Sequence, residues 1–399
     1  MVELKIADVK TTVVNMPMEA PLRWALGTVR GITRTIVEVS TDAGIVGLGE
    51  TTGAYSKELI DNEIKPAIVN CDPFNLEQIV AKSVWYPEKT FFGRWEADLT
   101  SFAGIEMALW DIMGKAIGRP VCDLLGGTRR TRVAFAAYIM PRYLGQAKTG
   151  GESTPQQIAK FCSEVIQKEG FKTLEIKLGI FSPRNDIQTI KEIRDVVGED
   201  IELRVDPNSV WSPETSIRVI KAMEKYGVKN VEEPTKGIDA LARVRRLVNT
   251  PISTHSSLIP EILRLEAADA IVGDLHHSGG ILRARKLASA AEICNLDFWL
   301  HSGGELGIST AAIIHFAASM PFIIHANQTH YHHQVDDIVA GGKLTYEKGS
   351  MAVPKGPGLG VELDEKKVLK YAELYNRQGP YHYYCDQERP EWMPEMPAW

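Results

Sequence analysis

The sequence is poor in cysteine: it has five in 399 residues, and no two share the CxxC spacing of metal-binding or redox-active pairs. An odd number of scattered thiols excludes the disulfide framework that holds small secreted domains together. We therefore expect reduced thiols and a cytoplasmic protein. The five residues are Cys71, Cys122, Cys162, Cys294 and Cys385.

Long hydrophobic runs and basic blocks are also missing. No apolar stretch approaches the roughly 20 residues that a helix needs to span a bilayer, and the opening segment MVELKIADVK lacks the apolar centre of a secretory signal. The formal net charge is −6 at pH 7, without a cluster of lysine and arginine. We expect no membrane anchor, and neither nucleic acid nor an anionic membrane as the main partner.

Ordinary globular proportions, 44% hydrophobic and 24% charged residues, accompany a change of pattern near residue 130. Before this point, β-branched runs at 5–16 and 33–50 predict strands, and Asp42-Ala43-Gly44 predicts a hairpin turn within the second run. The segment 104–127 then shows apolar residues at helical spacing. Strands followed by helices, without alternation, predict an α+β domain over residues 1–130.

Residues 131–335 alternate eight short apolar runs with amphipathic helical stretches, a pattern that predicts a (β/α) barrel. The runs are VAFAAYI, TLEIKLG, IELRVD, NVEEP, PISTH, AIVGDLH, DFWLHS and FIIHANQ. A doubly wound open sheet is the alternative, but no glycine-rich phosphate loop follows the early strands. Residues 336–399 return to hairpin-like sequence, which we expect to pack on the first domain or on an oligomer partner.

Nearly every predicted barrel strand ends in an ionisable side chain. Active sites of such barrels lie at the carboxyl ends of the strands. The candidates are therefore Lys177, Asp206, Glu232, His255, Asp274, His301 and, after the eighth run, His330. Each alone also fits a turn, a helix cap or a solvated loop, but unrelated loops would not carry such groups on consecutive strands. We expect the adjacent His332 and His333 at the surface.

Asp206 and Glu232 would stand on neighbouring strands and offer the hard oxygen ligands that Mg²⁺ prefers. Lys177 precedes them in the chain, and His301 with a possible Asp274 partner follows them. A cation between an amine and an imidazole suggests abstraction of a proton next to a carboxylate, with the metal stabilising the resulting enediolate.

These residues stand in motifs that resemble the enolase superfamily and, within it, the mandelate racemase subgroup. The motifs are GIEMALWDIMGKAIGRPVCDLLGG in the first domain, LRVDPN, VEEPT, GD followed by LHS, and PGLGVELDE near the end. They cover nearly the whole chain, and together they are most similar to glucarate dehydratases. The resemblance implies an α/β fold: a (β/α)7β-type modified TIM barrel with an α+β cap formed by the N-terminal region and the C-terminal tail.

The resemblance also implies roles for nine residues. The catalytic residues would be Lys177, Asp274 and His301. The substrate would be bound by Tyr138, Asn208 and His330, and the metal ion by Asp206, Glu232 and His255. The implied cofactor is Mg²⁺, with Mn²⁺ or another divalent ion as the alternative. The implied partner is a small carboxylate, an acid sugar, and we expect a homo-oligomer.

The implied reaction is dehydration of the acid sugar. Removal of the proton α to the carboxylate and loss of the β-hydroxyl would give a 2-keto-3-deoxy acid. The first alternative is a racemase or epimerase of the same superfamily, which uses two bases and has no leaving group. The second is a non-catalytic barrel that serves binding or assembly, against which the retained Lys177, Asp274 and His301 argue.

Three positions depart from the dehydratase pattern. Glu175 replaces a second lysine, His255 stands where the third metal ligand is an asparagine, and Gln328 replaces an aspartate. Strand alternation places Glu175 and Lys177 on one face. An ionised Glu175 would favour the charged form of Lys177, so we expect Lys177 to hold the substrate carboxylate or to stabilise the enediolate, and His301 to be the principal base. A structural salt bridge is the alternative.

Overall fold

An antiparallel three-stranded sheet and a ring of parallel strands organise the computed structural model, which describes residues 4–84, 95–145 and 148–399. The antiparallel sheet and the helices after it form a cap, and the parallel strands form a barrel. Within these ranges, no helix combines the length and the apolar character that a bilayer crossing requires.

The cap sheet has the order β1-β2-β3, with β1 at Ile6–Trp24, β2 at Gly27–Thr41 and β3 at Val46–Thr52. The turn predicted between the last two strands is present, with Gly44 in the left-handed region at φ +78°. The helical segments after the sheet are Tyr55–Leu59, Ile60–Ile64 (a π-helix), Lys65–Ile68, Leu76–Ser83, Trp95–Ile117 and Val121–Leu124. Strands followed by helices is the order that the sequence predicted.

The Trp95–Ile117 helix packs so closely on β3 that two strand positions have no room for a side chain. A Cβ atom at Gly47 would lie 2.1 Å from the carbonyl oxygen of Ala108, and one at Gly49 would lie 1.8 Å from that of Gly104. Glycine allows this approach because it lacks the Cβ that would hold strand and helix apart. The contact fixes the position of the strand on the helix.

The barrel sheet follows the parallel order β10-β9-β8-β7-β6-β5-β4-β11. Its strands are β4 (Arg132–Ile139), β5 (Thr173–Lys177), β6 (Glu202–Asp206), β7 (Val228–Glu232), β8 (Ile252–Thr254), β9 (Ala270–Gly273), β10 (Asp297–Leu300) and β11 (Asn327–Thr329). In the described part of the chain they alternate with helices at Pro155–Glu169, Pro183–Val197, Pro213–Met223, Ile238–Arg245, Ile259–Leu265, Ile281–Ile293 and Gly307–Ser319. The predicted (β/α)7β barrel with an α+β cap is therefore confirmed.

The barrel strands are short and buried, as parallel strands covered by helices are expected to be. All five residues of β5 are buried, Glu175 and Lys177 among them. The hydrogen-bonded path runs from β10 round to β11. Across the remaining seam, the backbone N–H of Leu300 donates to Oδ1 of Asn327 at 2.9 Å. Side chains on the inner faces of these strands thus line a nearly closed ring.

The eighth barrel strand is shorter than the sequence indicates. Its apolar run begins at Phe322, but the strand covers only Asn327–Thr329, so the predicted start is wrong. The backbone N–H of Ile323 donates to the carbonyl of Met320 at 3.1 Å, which forms a turn over the start of the predicted run. The chain joins the sheet only after this turn, at Asn327.

The segment after the barrel contacts both units. β12 (Ser350–Ala352) pairs antiparallel with the beginning of β4. The helix Glu365–Gln378 packs against β1 in the cap, and Nδ2 of Asn15 donates to the carbonyl of Gly379 at 2.8 Å. The C-terminal segment therefore completes the cap, as the resemblance implied.

The contact between β3 and the long cap helix generates a stability prediction. Gly49→Ala would place a methyl group within 1.8 Å of a helix carbonyl, so we expect about 1–3 kcal/mol of destabilisation, as overpacked cores show. Val46→Ala on the same strand is the matched control, because Val46 is 39% exposed, and it should stay within about 0.5 kcal/mol of the parent chain. Urea unfolding measures both, and equal midpoints for the two variants would contradict the packing argument.

Candidate active site

The carboxyl ends of the barrel strands bring six of the predicted residues together in three pairs. The pairs are Lys177–Asp206, Glu232–His255 and Asp274–His301. They belong to the successive strand pairs β5–β6, β7–β8 and β9–β10, because parallel strands end at the same rim. Each pair therefore joins one carboxylate to one nitrogen base.

The first pair is fully enclosed. Nζ of Lys177 donates to Oδ2 of Asp206, and the side chains are 5% and 0% exposed. Asn208 adds two further donors, its backbone N–H to Oδ1 of Asp206 at 2.7 Å and its Nδ2 to Oδ2 at 2.9 Å. Asn208 adopts the left-handed region, φ +51°, which turns the chain back so that both donors reach one carboxylate. Asp206 is thereby held in one orientation.

Lys177 remains cationic. Burial disfavours the charged form of Lys177, but the carboxylates of Asp206 and Glu232 outweigh it and raise its pKa above the usual value. Glu175 contributes less than either of them. Burial, together with the charge of Glu232, raises the pKa of Glu175 itself well above its usual range, which disfavours the ionised form on which the prediction for Lys177 rested. The predicted protonation state of Lys177 stands, with Asp206 and Glu232 as its cause.

The second pair contains a carboxylate between two donors. Oε1 of Glu232 lies 2.8 Å from Nε2 of His255, and Oε2 accepts a hydrogen bond from Nε2 of Gln328. Burial opposes ionisation of Glu232, but His255 and Lys177 lower its pKa below the usual value. In return, against the effect of burial, the Glu232 carboxylate raises the pKa of His255 to about 9. At neutral pH, His255 is a cation paired with Glu232.

The third pair has the opposite protonation pattern. Nδ1 of His301 lies 2.9 Å from Oδ2 of Asp274, whose Oδ1 accepts the backbone N–H groups of His276 and His277. Burial lowers the pKa of His301 to about 4, although Asp274 acts against it. A neutral ring that donates through Nδ1 keeps its lone pair on Nε2. His301 is thus the unprotonated base among the three pairs.

The predicted substrate-binding residues lie beside the first pair. The ring of Tyr138 lies 4.5 Å from Nζ of Lys177 and 4.2 Å from the ring of His330, measured between ring centroids for the latter. Nδ1 of His330 is 3.1 Å from Oγ of Ser302, the residue after His301. Tyr138 and His330 therefore connect the side of the rim that holds Lys177 with the side that holds His301.

Gln328 is a site residue that the sequence argument noted only as a departure from the dehydratase pattern. Its Oε1 accepts from the hydroxyl of Tyr138 at 2.6 Å, while its Nε2 donates to Glu232. An amide has both an acceptor and a donor, so Gln328 bridges the hydroxyl of Tyr138 and the carboxylate of Glu232. An aspartate at this position would be repelled by that carboxylate. The signal available in the sequence was its position two residues before His330.

The prediction that His332 and His333 lie at the surface is wrong. They are 7% and 2% exposed, and Nε2 of each lies close to the same carbonyl oxygen, that of Tyr138, at 3.1 and 3.0 Å. A carbonyl with two lone pairs accepts both rings. The two histidines support the strand that carries Tyr138.

The oxygen-rich part of the site fits a divalent cation. Within the described ranges, no three His, Cys, Asp or Glu side chains already converge on one metal position. However, both carboxyl oxygens of Glu175 and Oδ1 of Asn208 are buried without a hydrogen-bond partner among the described residues. Buried oxygen atoms without a hydrogen-bond partner, close to Asp206 and Glu232, are hard donors of the kind that suits Mg²⁺.

Two bases hold the carboxylate oxygens that a metal ion would take. Lys177 donates to Asp206, and His255 contacts Glu232. A metal-bound imidazole must be neutral, whereas His255 is positively charged in its present pairing. Asp206 and Glu232 would hold the ion, and the assignment of His255 as third ligand stays a prediction.

A cavity of about 630 Å³ opens beside the Asp274–His301 pair. It reaches from His255, Asp274 and His301 outward to Arg283 and Lys286 on the Ile281–Ile293 helix. The volume suits a small organic acid. The base of the third pair is therefore accessible to a ligand, while Lys177 and Asp206 lie deeper.

Two family models match the chain. Residues 157–367 match the model described as enolase C-terminal domain-like, and residues 6–126 match the N-terminal domain of mandelate racemase / muconate lactonizing enzyme. The first covers the barrel from its first helix onward, and the second covers the N-terminal part of the cap.

Curated relatives and solved structures extend this similarity over the full chain. A probable glucarate dehydratase of Streptomyces coelicolor is 29% identical, with 92% of each chain covered. An L-Ala-D/L-Glu epimerase of Bacillus subtilis is 30% identical over 90% of this chain and 97% of its own. The crystal structure of an enolase from Thermobispora bispora, complexed with magnesium and formate, is 33% identical with TM-score 0.92, covering 99% of this chain and 100% of that one. Relatives of similar identity thus catalyse different reactions.

The unpaired oxygens and the two carboxylates generate a metal-binding prediction. Asp206→Asn and Glu232→Gln should each weaken Mn²⁺ binding, followed by electron paramagnetic resonance, by at least about 10- to 100-fold, because each removes a charged oxygen ligand. Glu233→Gln is the matched control, because Glu233 is not one of the proposed metal ligands. Its carboxylate accepts a hydrogen bond from the backbone N–H of His255 at 2.7 Å. Its affinity should stay near the parent value. Unchanged binding in both carboxylate variants would refute the assignment.

Proposed function

The chain belongs to the mandelate racemase / muconate lactonizing enzyme family of the enolase superfamily, and we propose that it is a metal-dependent acid-sugar dehydratase. The observation that carries the proposal is the contrast between two bases on different sides of the rim. Lys177 is held as a cation by two carboxylates, whereas His301 is held neutral with a lone pair on Nε2. Such a site binds a carboxylate on one side and removes a proton on the other.

Lys177, which lies deeper than the cavity, would meet the substrate carboxylate with its ammonium group. Tyr138 and His330 lie beside it and supply polar contacts for the hydroxyl groups of an acid sugar. A divalent ion held by Asp206 and Glu232 would add positive charge next to the carboxylate. This charge would favour the dianionic enediolate over the substrate, and would therefore lower the barrier to loss of the α-proton.

His301 removes the α-proton through Nε2, while Asp274 holds Nδ1–H and stabilises the imidazolium that forms. The imidazolium can then return this proton to the β-hydroxyl, which leaves as water. The electron pair of the former C–H bond forms the double bond of an enol. Its tautomer is the 2-keto-3-deoxy acid, so the atoms balance without an oxidant or reductant.

The similarity to a dehydratase of Streptomyces coelicolor supports the lyase, and the similarity to an epimerase of Bacillus subtilis supports the alternative. An epimerase needs a second group on the opposite face to return the proton, a role that a cationic Lys177 could serve. The two reactions differ in their products, because only dehydration forms a keto acid.

A screen of mono- and diacid sugars with Mg²⁺, read as keto-acid formation, tests the proposal. We expect at least one substrate, loss of activity with a chelator, and a rate lower by about 10²–10⁴-fold in His301→Asn, the usual contribution of a general base. His325→Asn is the matched control, because His325 pairs with Asp297 at 3.2 Å outside the site. It should keep the parent rate.

Deuterium incorporation at the α-carbon without keto acid would contradict dehydration and show an epimerase instead. No proton exchange and no keto acid with any member of the library would show a non-catalytic barrel.

A further inference from the structure

We propose that Arg34 of the cap is a positioning residue for His301, because it holds the backbone of the barrel loop 302–306. The role in catalysis rests on the proposed function of His301 as the base. The effect on the loop and on the His301 ring does not depend on that function. A residue of the cap would thus help to hold a side chain of the barrel in position.

Arg34 reaches out of β2 to two successive carbonyls of the loop. Its Nε donates to the carbonyl of Gly304 at 2.8 Å, and its Nη2 donates to that of Gly303 at 2.7 Å. Gly304 has φ +85°, and a Cβ there would lie 2.7 Å from Ile32. Only glycine adopts this backbone so close to the cap. The loop is thus shaped to present its carbonyls to one guanidinium.

The guanidinium is buried between two carboxylates. Arg34 is 1% exposed, and it lies 3.5 Å from Oε1 of Glu50 in the cap and 4.0 Å from Oε1 of Glu305 in the loop. A charge taken out of water must be paired and hydrogen-bonded. The planar fork of arginine satisfies this requirement in a way that a lysine cannot, because an ammonium lacks the fixed geometry.

Both carboxylates bind the loop as well. Glu50 accepts the backbone N–H groups of Leu306 and Ser309 at 2.8 and 3.0 Å, at the start of the helix that follows. Glu305 accepts the backbone N–H of Gly303 and the hydroxyl of Ser302, each at 2.6 Å. Cap and barrel groups therefore fix this loop at nearly every polar position.

Loop 302–306 begins directly after His301, the proposed base. The backbone N–H of His301 donates to the carbonyl of Gly273 at 2.7 Å, and its ring is held by Asp274. Ser302 contacts Nδ1 of His330. β9 and β10 therefore fix the position of His301 from the barrel side, and the Arg34 cluster fixes the chain that leaves it. A displacement of about 1 Å at a base can cost about 100-fold in rate.

The test compares Arg34→Lys with the parent chain. Lysine keeps the positive charge between Glu50 and Glu305 but loses the fork to Gly303 and Gly304. Arg30→Lys is the matched control on the same strand, because Arg30 is 37% exposed and pairs with Glu388 outside the cluster. The readouts are amide hydrogen exchange of residues 302–309 and the ¹⁵N and ¹H signals of the His301 ring.

In Arg34→Lys we expect amide exchange in 302–309 to rise at least tenfold and the Nδ1–H signal of His301 to shift or broaden. The kcat for the acid sugar should fall by about 10- to 100-fold, with KM within about twofold. Arg30→Lys should change none of these. If Arg34→Lys does not fold, Glu305→Gln removes the charge on the barrel side of the cluster, and the same changes are expected.

Parent-like amide exchange and an unchanged His301 signal in the folded variant would overturn the proposal. A mobile loop with an unchanged kcat would show that Arg34 serves stability alone, which also overturns it. If no acid sugar reacts with the parent chain, the proposed function fails, and the His301 signal still decides whether Arg34 positions the ring.

Discussion

The burial of three carboxyl groups at the ends of three neighbouring strands is the constraint on which the site depends. Glu175, Asp206 and Glu232 are each fully buried on β5, β6 and β7. Carboxylates without water need positive partners. Lys177 donates to Asp206 and His255 contacts Glu232, and both are held as cations. Neither of them hydrogen-bonds Glu175, whose two carboxyl oxygens have no hydrogen-bond partner in the described structure. A divalent ion would supply positive charge that favours the ionised form of Glu175.

The same constraint separates the roles of the two bases. Lys177 belongs to the carboxylate-rich side of the rim, where its proton is retained. His301 lies on the other side, where Asp274 is already satisfied by backbone N–H groups of the following loop and burial keeps the imidazole neutral. A site that needs one cationic and one neutral nitrogen base can thus be built by controlling how many carboxylates surround each of them.

Much of this arrangement was predictable, since it follows from local patterns. Strand alternation places Glu175 and Lys177 on one face, and parallel strands bring their carboxyl ends to one rim, so Asp206, Glu232 and His301 could be identified from their positions after apolar runs. Seven of the eight apolar runs overlap their barrel strand, with ends that differ by up to three residues. The eighth run begins five residues before its strand, because a turn at Met320–Ile323 precedes the sheet.

The remaining features depend on distances that no local pattern encodes. The raised pKa of Glu175 results from burial and from the charge of Glu232, 57 positions away in the chain. Gln328 of β11 donates to Glu232 of β7, and Arg34 donates to Gly304, which follows it by 270 positions in the chain. His332 and His333 are buried because they share a carbonyl of β4. Polarity alone indicated the surface for these two residues and gave no sign of that carbonyl.

We propose that His301 removes the α-proton and that Lys177 does not. Proton exchange of the reacting acid sugar in D₂O, followed by ¹H NMR for both α-configurations, tests it most directly. We predict exchange of the one configuration that faces His301, with loss of exchange in His301→Asn and its retention in Lys177→Met at saturating substrate. Rapid exchange of the opposite configuration that disappears in Lys177→Met would contradict the claim, because it would show that Lys177 gives up its proton despite Asp206 and Glu232.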